Sequence, residues 1–449
     1  MIKREHLSGW GLTPSTHCAS HRPEKEREIA AIVKAQQTPL IARGLGRSYG
    51  DASLQPHGVI RTERLDNLIE FNEHTGVLRA QAGVTIADVM AFAIPRGFLP
   101  PVIPGTKFVT LGGAFASNVH GKNQYKMGEF AEHVTNIRLL MADKKSIECS
   151  PAEHADIFWA TAGGMGMTGI IEELSLRLIP IHSASLRTRA EQVGNIEAMI
   201  AAFEANRASA DHMIGWIDHM AKGENIGRGV FEAANHITAS EGGKPCGSYA
   251  VAKSRVKVPF HLPRFALNKY VMAGYNHRRF RSYGEKAASI TDMNSFFHPL
   301  DAINGWNKLY GKTGFYQYQC LLPENDGIAN TLRQLLTSLQ EEKVFSFLAV
   351  LKYHRNGKGL ISFSQQGYSL ALDLPNTARV RNAIPRINHW IAERGGRIYL
   401  AKDALMSADM FDRMYGHHGQ QWKELISDLD PHHQFSSMMS ERLQWKSRD

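Results

Sequence analysis

Arg43-Gly44-Leu45-Gly46-Arg47-Ser48-Tyr49-Gly50-Asp51 is the stretch on which the fold of this chain turns. Ahead of it, residues 24–35 have the spacing of an amphipathic helix and Pro39-Leu40-Ile41-Ala42 that of a short buried strand, so the glycines fall where a strand ends. Gly44, Gly46 and Gly50 permit positive φ and leave no Cβ in the way of a ligand. Successive backbone N–H groups in such a turn converge on an anion, and Arg43 and Arg47 add charge, so a diphosphate fits there. A tight surface turn fits the same residues, and the stretch alone does not separate the two.

At 449 residues the chain is long enough for two or three domains. Its 43% hydrophobic and 21% charged residues describe a globular protein rather than a disordered one. A balance of 52 Lys and Arg against 43 Asp and Glu, net +9, favours anionic ligands or anionic lipid surfaces. Nucleic acid is set aside because the positive charge is dispersed apart from one denser region. Cys18, Cys149, Cys246 and Cys320 lie far apart without CxxC spacing, which indicates neither zinc nor a disulfide framework. His417-His418 and His432-His433 lack a third ligand at metal spacing and no HExxH occurs, so no metal is expected. No apolar run follows Met1-Ile2-Lys3-Arg4-Glu5-His6 and none reaches membrane-spanning length, which makes the cytoplasm the expected location.

Working outward, short strands at 58–61, 68–71 and 77–83 have the spacing of a β-meander. Thr85 then caps a helix with Ile86, Val89, Met90 and Ala93 on its apolar face, ended by Gly97. A second glycine-rich segment follows, Pro104-Gly105-Thr106 and then Gly112-Gly113 with Ser117, Asn118, His120, Gly121 and Lys122. So many small and polar residues together point to a ligand approached closely by backbone. A third segment is Gly163-Gly164-Met165-Gly166-Met167-Thr168-Gly169-Ile170-Ile171, leading into a strand that ends at Pro180. Three Gly-rich turns at strand ends in one α+β region suit a long dinucleotide, although the Gly44 stretch lacks GxGxxG spacing and opens no helix.

Past residue 183 the texture changes. A helix at 195–203, strands at 213–218 and 227–231, and an alternating strand at 314–323 with Gln317 and Gln319 on one face precede a helix at 328–339 and strands at 345–351 and 368–374. That alternation predicts an antiparallel sheet backed by helices. Residues 255–286 read as irregular, with Pro259, Pro263, Arg264, Lys269, Arg278, Arg279, Arg281 and Lys286; a solvated loop, a lid and a patch for phosphate or anionic lipid all fit.

The three glycine segments together resemble the flavin-binding segments of the vanillyl-alcohol-oxidase/PCMH family of FAD oxidoreductases. The resemblance implies an α+β, two-domain PCMH-type fold. Its FAD domain comes from residues 1–183 plus a returning segment 397–449, and a cap or substrate domain of antiparallel sheet backed by helices comes from 184–396. It implies FAD contacts by Arg43, Gly44, Leu45, Gly46, Arg47, Ser48 and Tyr49, by Gly105, Thr106, Gly112, Gly113, Ser117, Asn118, His120, Gly121 and Lys122, and by Gly164, Gly169, Ile170 and Tyr399. Many members attach FAD through a histidine in the first segment; Arg47 stands there, so the flavin is expected to be non-covalent.

Further blocks, among them His298-Pro299-Leu300-Asp301, Gln317-Tyr318-Gln319, Gly395-Gly396-Arg397-Ile398-Tyr399-Leu400-Ala401-Lys402-Asp403 and Asp428-Leu429-Asp430-Pro431, are similar to the branch of that family that oxidises the C2 hydroxyl of a polyprenyl-phosphoryl ribose to the keto sugar, as the oxidase half of a 2-epimerase. This implies Lys402, Tyr49 and His120 in catalysis and Trp216, Gln319, Lys352, Ser369, Ala371 and Lys402 at the substrate. It also implies a lipid-linked sugar phosphate, an NAD(P)H-dependent keto-sugar reductase as partner, and peripheral contact with a membrane. Ala371, Ser369 and Phe297 stand where that branch carries a cysteine, an asparagine and a tyrosine, which leaves the sugar and lipid open. A sugar-lactone or alditol oxidase of the same superfamily and a flavin-free nucleotide or anionic-lipid binder are the competing readings.

Overall fold

Alternation in Phe315-Tyr316-Gln317-Tyr318-Gln319-Cys320 sends tyrosines to one side of a strand and glutamines to the other. That strand belongs to an eight-stranded, wholly antiparallel sheet. In the computed structural model, which describes residues 3–263, 268–283 and 286–445, the spatial order is Lys286–Asp292, Ser185–Val193, Gly229–His236, His212–Ile217, Ala349–His354, Gly367–Pro375, Phe315–Pro323 and Arg397–Ile398. Helices Ile196–Asn206, Ile328–Glu341 and Ala378–Ala392 bury Met199, Phe203, Leu332, Leu336, Ile384 and Ile387 in one core with Tyr316, Tyr318 and Leu351. Each such side chain contributes roughly 1.5–3 kcal/mol by leaving water. The opposite face carries Gln317, Gln319, Lys352, Ser369, Ala371 and Asp373 toward a cavity.

The other wall of that cavity is built from two smaller sheets. One is antiparallel, in the order Leu68–Asn72, Val77–Gln81, Ile170–Arg177, Val134–Leu140 and Ser146–Cys149. The helix Ile86–Ala93 packs in its core and starts on a capping box: Asp88 N–H donates to Thr85 Oγ1 at 3.1 Å and Thr85 N–H to Asp88 Oδ2 at 2.9 Å. Gly97, at φ 80°, ends the helical run in the left-handed region, as its sequence position predicts. The remaining sheet has the order Lys3–Ser8, Ser15–His21, Val59–Arg61 and Ile41–Arg43, and here the expected meander needs correction. Val59–Arg61 pairs in parallel with Ile41–Arg43 and with Ser15–His21, while only 68–72 and 77–81 form the hairpin. Parallel neighbours need a long crossover, and residues 44–58 supply it with the glycine loop.

Residues 255–286 also depart from expectation. Lys269–Ser282 is a 14-residue helix, and the Asn268 side chain caps it by accepting from Tyr270 and Val271 N–H at 2.9 and 3.1 Å. Its inward stripe is Met272, Asn276 and Arg279, too polar to print an apolar period of 3.6 in the sequence. Arg264, part of that expected basic stretch, lies outside the described residues.

After Arg397–Ile398 closes the large sheet, the chain crosses back. The helix Ala408–Leu429 buries Phe411 and Trp422, with a break at Gly416, and Phe435 then bridges Leu40 beside the first glycine loop. Arg442 completes the return. Its guanidinium donates to both Asp51 carboxylate oxygens at 2.8 and 2.9 Å and to Asp403 Oδ2 at 2.9 Å.

Candidate active site

The loop after Ile41–Arg43 opens into a cavity of about 390 Å³ enclosed between the two walls. Among the described residues, none of the five backbone N–H groups from Gly44 to Ser48 has an acceptor. A run of free donors facing a cavity is what an anion such as a diphosphate requires. Arg47 joins them, its guanidinium stacked 4.0 Å from the Trp10 ring centre. The second segment enters through Gly105 and Thr106; a Cβ on Gly105 meets nothing within 4 Å. Asp301 fastens that turn, accepting from Thr106 Oγ1 at 2.8 Å and Lys107 N–H at 2.9 Å. Gly112 and Gly113 follow in the short helix Leu111–Ala116, where Thr110 caps through Gly113 N–H. A Cβ on Gly112 would press on Ala82 at 2.8 Å, so this glycine lets helix and sheet approach.

Polar side chains converge at the far end. Gln319 Nε2 meets His120 Nε2 at 3.0 Å and Ser369 Oγ at 3.1 Å, and His354 Nε2 meets the same hydroxyl at 2.7 Å. Burial, then the Lys352, His354 and Lys402 charges, hold His120 well below the usual histidine range, so it is neutral. Its Nδ1, the Gln319 Oε1 and the Trp216 Nε1 are buried without partners. Three orphaned polar atoms around one cavity mark places where a ligand completes the hydrogen bonding.

Three lysines face this space, and no hydrogen-bond acceptor among the described residues holds the Nζ of Lys352 or Lys402. Burial pushes the Lys402 ammonium down to about 8, opposed by Asp373. Lys352 falls to about 7 through burial and the charges of Lys402 and Lys122. Lys122, about 8 by burial against Glu232, donates to the Phe296 carbonyl and lies 3.9 Å from the Phe296 ring centre. Asp373 supplies the opposite charge. Burial raises it to about 6, while Gln317 Nε2 donates to its Oδ1 at 2.6 Å and Tyr310 OH to its Oδ2 at 3.3 Å. Tyr49 is driven well above the usual phenol range by burial and by Asp373.

Of the residues expected at the site, Gly44, Leu45, Gly46, Arg47, Ser48, Tyr49, Gly105, Thr106, Gly112, Gly113, Ser117, His120, Lys122, Gly169 and Tyr399 line the cavity from one side. Trp216, Gln319, Lys352, Ser369, Ala371 and Lys402 line it as well. Five do not. Arg43 turns away to Ser53 and the Ser8 carbonyl. The Asn118 side chain bonds Glu129 Oε2 and Ala131 N–H. Gly121 and Gly164 are packing positions, where a Cβ would strike the Asn123 side chain and the Ala160 carbonyl. Ile170 points into the core beside Ile29 and Leu140, and Ile171 lines the cavity in its place. Asp301, Asp373, Gln317, Glu232 and Arg279 line the cavity without having been singled out. Asp301 and Gln317 belong to the blocks at 298–301 and 317–319, and Asp373 lies in the strand expected at 368–374; Arg279 had only the basic run to mark it.

A family model described as an FAD binding domain matches residues 19–150. Over 451 residues the chain is 30% identical to the decaprenylphosphoryl-beta-D-ribose oxidase of Mycolicibacterium smegmatis, a match covering 98% of this chain and 97% of that protein. An uncharacterised Streptomyces coelicolor protein is 26% identical across 80% of this chain and its own whole length. L-gulonolactone oxidase of Mus musculus is 23% identical over 171 residues, 38% of this chain and 39% of that enzyme. The free N–H run, the open Gly105 turn and the orphaned polar atoms fit an FAD laid along the cavity.

Proposed function

The chain belongs to the vanillyl-alcohol-oxidase/PCMH family of FAD-dependent oxidoreductases, and from that premise we propose that it oxidises the C2 hydroxyl of a polyprenyl-phosphoryl ribose-type sugar to the ketone. The observation that carries this reading is the placing of Lys402 and Lys352 in the same cavity as the free N–H run of residues 44–48. In this reading residues 1–183 and the returning tail hold FAD without a covalent bond, Arg47 standing where a linking histidine would be, and 184–396 cover the sugar.

FAD, when bound, supplies the two-electron acceptor for the carbinol C–H. The protein's part is orientation and proton handling. Lys402 holds the alcohol oxygen through its ammonium, whose charge Asp373 favours and which stands 6.0 Å from the Tyr49 ring centre. Lys352, neutral in part near pH 7, takes the hydroxyl proton. His120, kept neutral by burial and by the neighbouring cations and held in one tautomer by Gln319, presents its free Nδ1 to a sugar hydroxyl, and Gln319 Oε1 accepts from another. A separate NAD(P)H-dependent reductase then returns the keto sugar as the epimer.

Anaerobic bleaching of the flavin across a panel of polyprenyl-phosphoryl pentoses, free pentoses and aldonolactones tests this. Bleaching by the phosphoryl ribose and not by free sugars or lactones is expected. Bleaching by lactones alone would transfer the chain to the lactone oxidases, whose similarity here covers 38% of the chain.

A further inference from the structure

Residues 242–284 hold nine of the chain's 52 Lys and Arg and none of its 43 Asp and Glu, so the entire net charge of +9 resides in this one segment and the two signs balance everywhere else. The same segment exposes large apolar side chains. Among the described residues, Val256, Phe260, Tyr270, Val271 and Tyr275 are exposed, with Phe260 at 64% and Tyr270 at 76%, and only Ile69 and Ile290 are comparable elsewhere.

The helix Lys269–Ser282 divides these features by face. Inward, Met272 and Asn276 are buried, and Asn276 Nδ2 donates to Asp218 Oδ1 at 2.9 Å. One turn on, Arg279 reaches the cavity with its guanidinium 4.8 Å from the Trp216 ring centre and its Nε buried without a partner. Outward stand Tyr270 and Val271 among the exposed cations Lys269, Arg278 and Arg281, with Lys269 Nζ 5.0 Å from the Tyr270 ring centre. Strand Val256–Lys257, flanked by exposed Lys253, Arg255 and Phe260, pairs with Ile303–Asn304, between the cavity-lining Asp301 and Trp306. Both pieces therefore border the cavity. Aromatic and aliphatic side chains set among unneutralised cations are what the interface of an anionic bilayer accepts: rings at headgroup depth, ammonium and guanidinium groups on lipid phosphates.

We propose that this face docks on an anionic lipid bilayer and holds the Arg279 side of the cavity against the headgroups. The docking stands on charge and exposure alone. Its use, capture of a sugar phosphate whose polyprenyl chain stays in the lipid, rests on the function proposed above.

The FAD-loaded full chain is sedimented with vesicles of phosphatidylcholine, with and without one-third phosphatidylglycerol. At least tenfold stronger partition onto the anionic vesicles is expected, weakening with added salt. Tyr270→Ser with Val271→Ser, and separately Arg278→Glu with Arg281→Glu, should each reduce partition about tenfold while leaving the flavin spectrum and melting temperature unchanged. Equal partition onto both vesicles, or partition that neither variant alters, overturns the proposal. Variants that keep vesicle binding but lose association with a protein partner overturn it in favour of a protein-docking face. Vesicle binding with no bleaching by any phosphoryl pentose would retain the docking and remove the proposed substrate.

Discussion

The backbone N–H of Tyr49 donates to the Ala401 carbonyl at 2.9 Å, tying the first glycine loop to the residue before Lys402. Lys402 Nζ consequently stands 6.0 Å from the centre of the Tyr49 ring, inside the cavity that the loop opens. Lys402→Ala should leave FAD bound and slow its reduction by substrate by about two to three orders of magnitude, the scale for removing a charge that acts on the reacting oxygen. Stopped-flow bleaching measures it, and retained turnover would remove the role.

The same rate should be bell-shaped in pH. Lys352 loses its proton above about 7 and becomes able to accept one, while Lys402 loses its charge above about 8. Activity should therefore rise through the first value and fall through the second. Lys402→Arg should abolish the alkaline limb, because a guanidinium stays charged; an alkaline limb that persists in this variant assigns it to another group.

Arg47 lies against Trp10 within the cavity, and a guanidinium offers flavin no covalent bond. Acid precipitation should release all of the flavin to the supernatant. A yellow pellet would contradict non-covalent binding.

Ala371 faces Gln319 across the strand pair and lines the cavity, whereas none of the four cysteines does. Small alkylating reagents should leave activity intact in the native protein. Ala371→Cys should bring irreversible inactivation at one thiol, located by peptide mass spectrometry; inactivation of the native protein at the same rate would show another reactive group.

Glu129 is wholly buried, accepting from Asn118 Nδ2 at 2.7 Å and from Ser362 Oγ at 2.9 Å, and burial raises it from 4.5 to about 7. Between those values the folded chain keeps a proton that the unfolded chain has lost. Its contribution to stability is thus full below about 4.5, declines as pH rises to about 7, and is level above. Melting temperatures across this window should decline less steeply for Glu129→Gln than for the native protein, and parallel curves would exclude Glu129 as the source.

Close approach of backbone to a cofactor leaves glycine and small residues behind, and for that reason the three cavity-lining segments could be read from residues alone. Arg43 could not. It was expected to charge the loop, yet Gly46, at φ 63°, packs so tightly beneath its guanidinium that a Cβ there would collide with it, and Arg43 serves as a strut. Asp373 becomes meaningful only through its register with Gln317, a pairing no local pattern announces. The Lys269–Ser282 helix was hidden because its inward stripe carries Asn276 and Arg279 where a period of apolar residues would show. Lys402 was legible through family resemblance rather than spacing, since a lysine after an apolar strand ordinarily snorkels to solvent.

The Arg442 clamp sets a timetable for synthesis. Arg442 and Asp51 are 391 residues apart, which at about 5–20 residues per second means roughly 20–80 s of translation between one partner and the other. For most of that interval the glycine loop exists without Lys402 and Asp403, and for all of it without the Arg442 guanidinium that joins Asp51 to Asp403. Stable flavin loading is therefore expected late in synthesis, and a chain truncated before Arg442 should retain less flavin than the full chain, as absorbance after gel filtration would show.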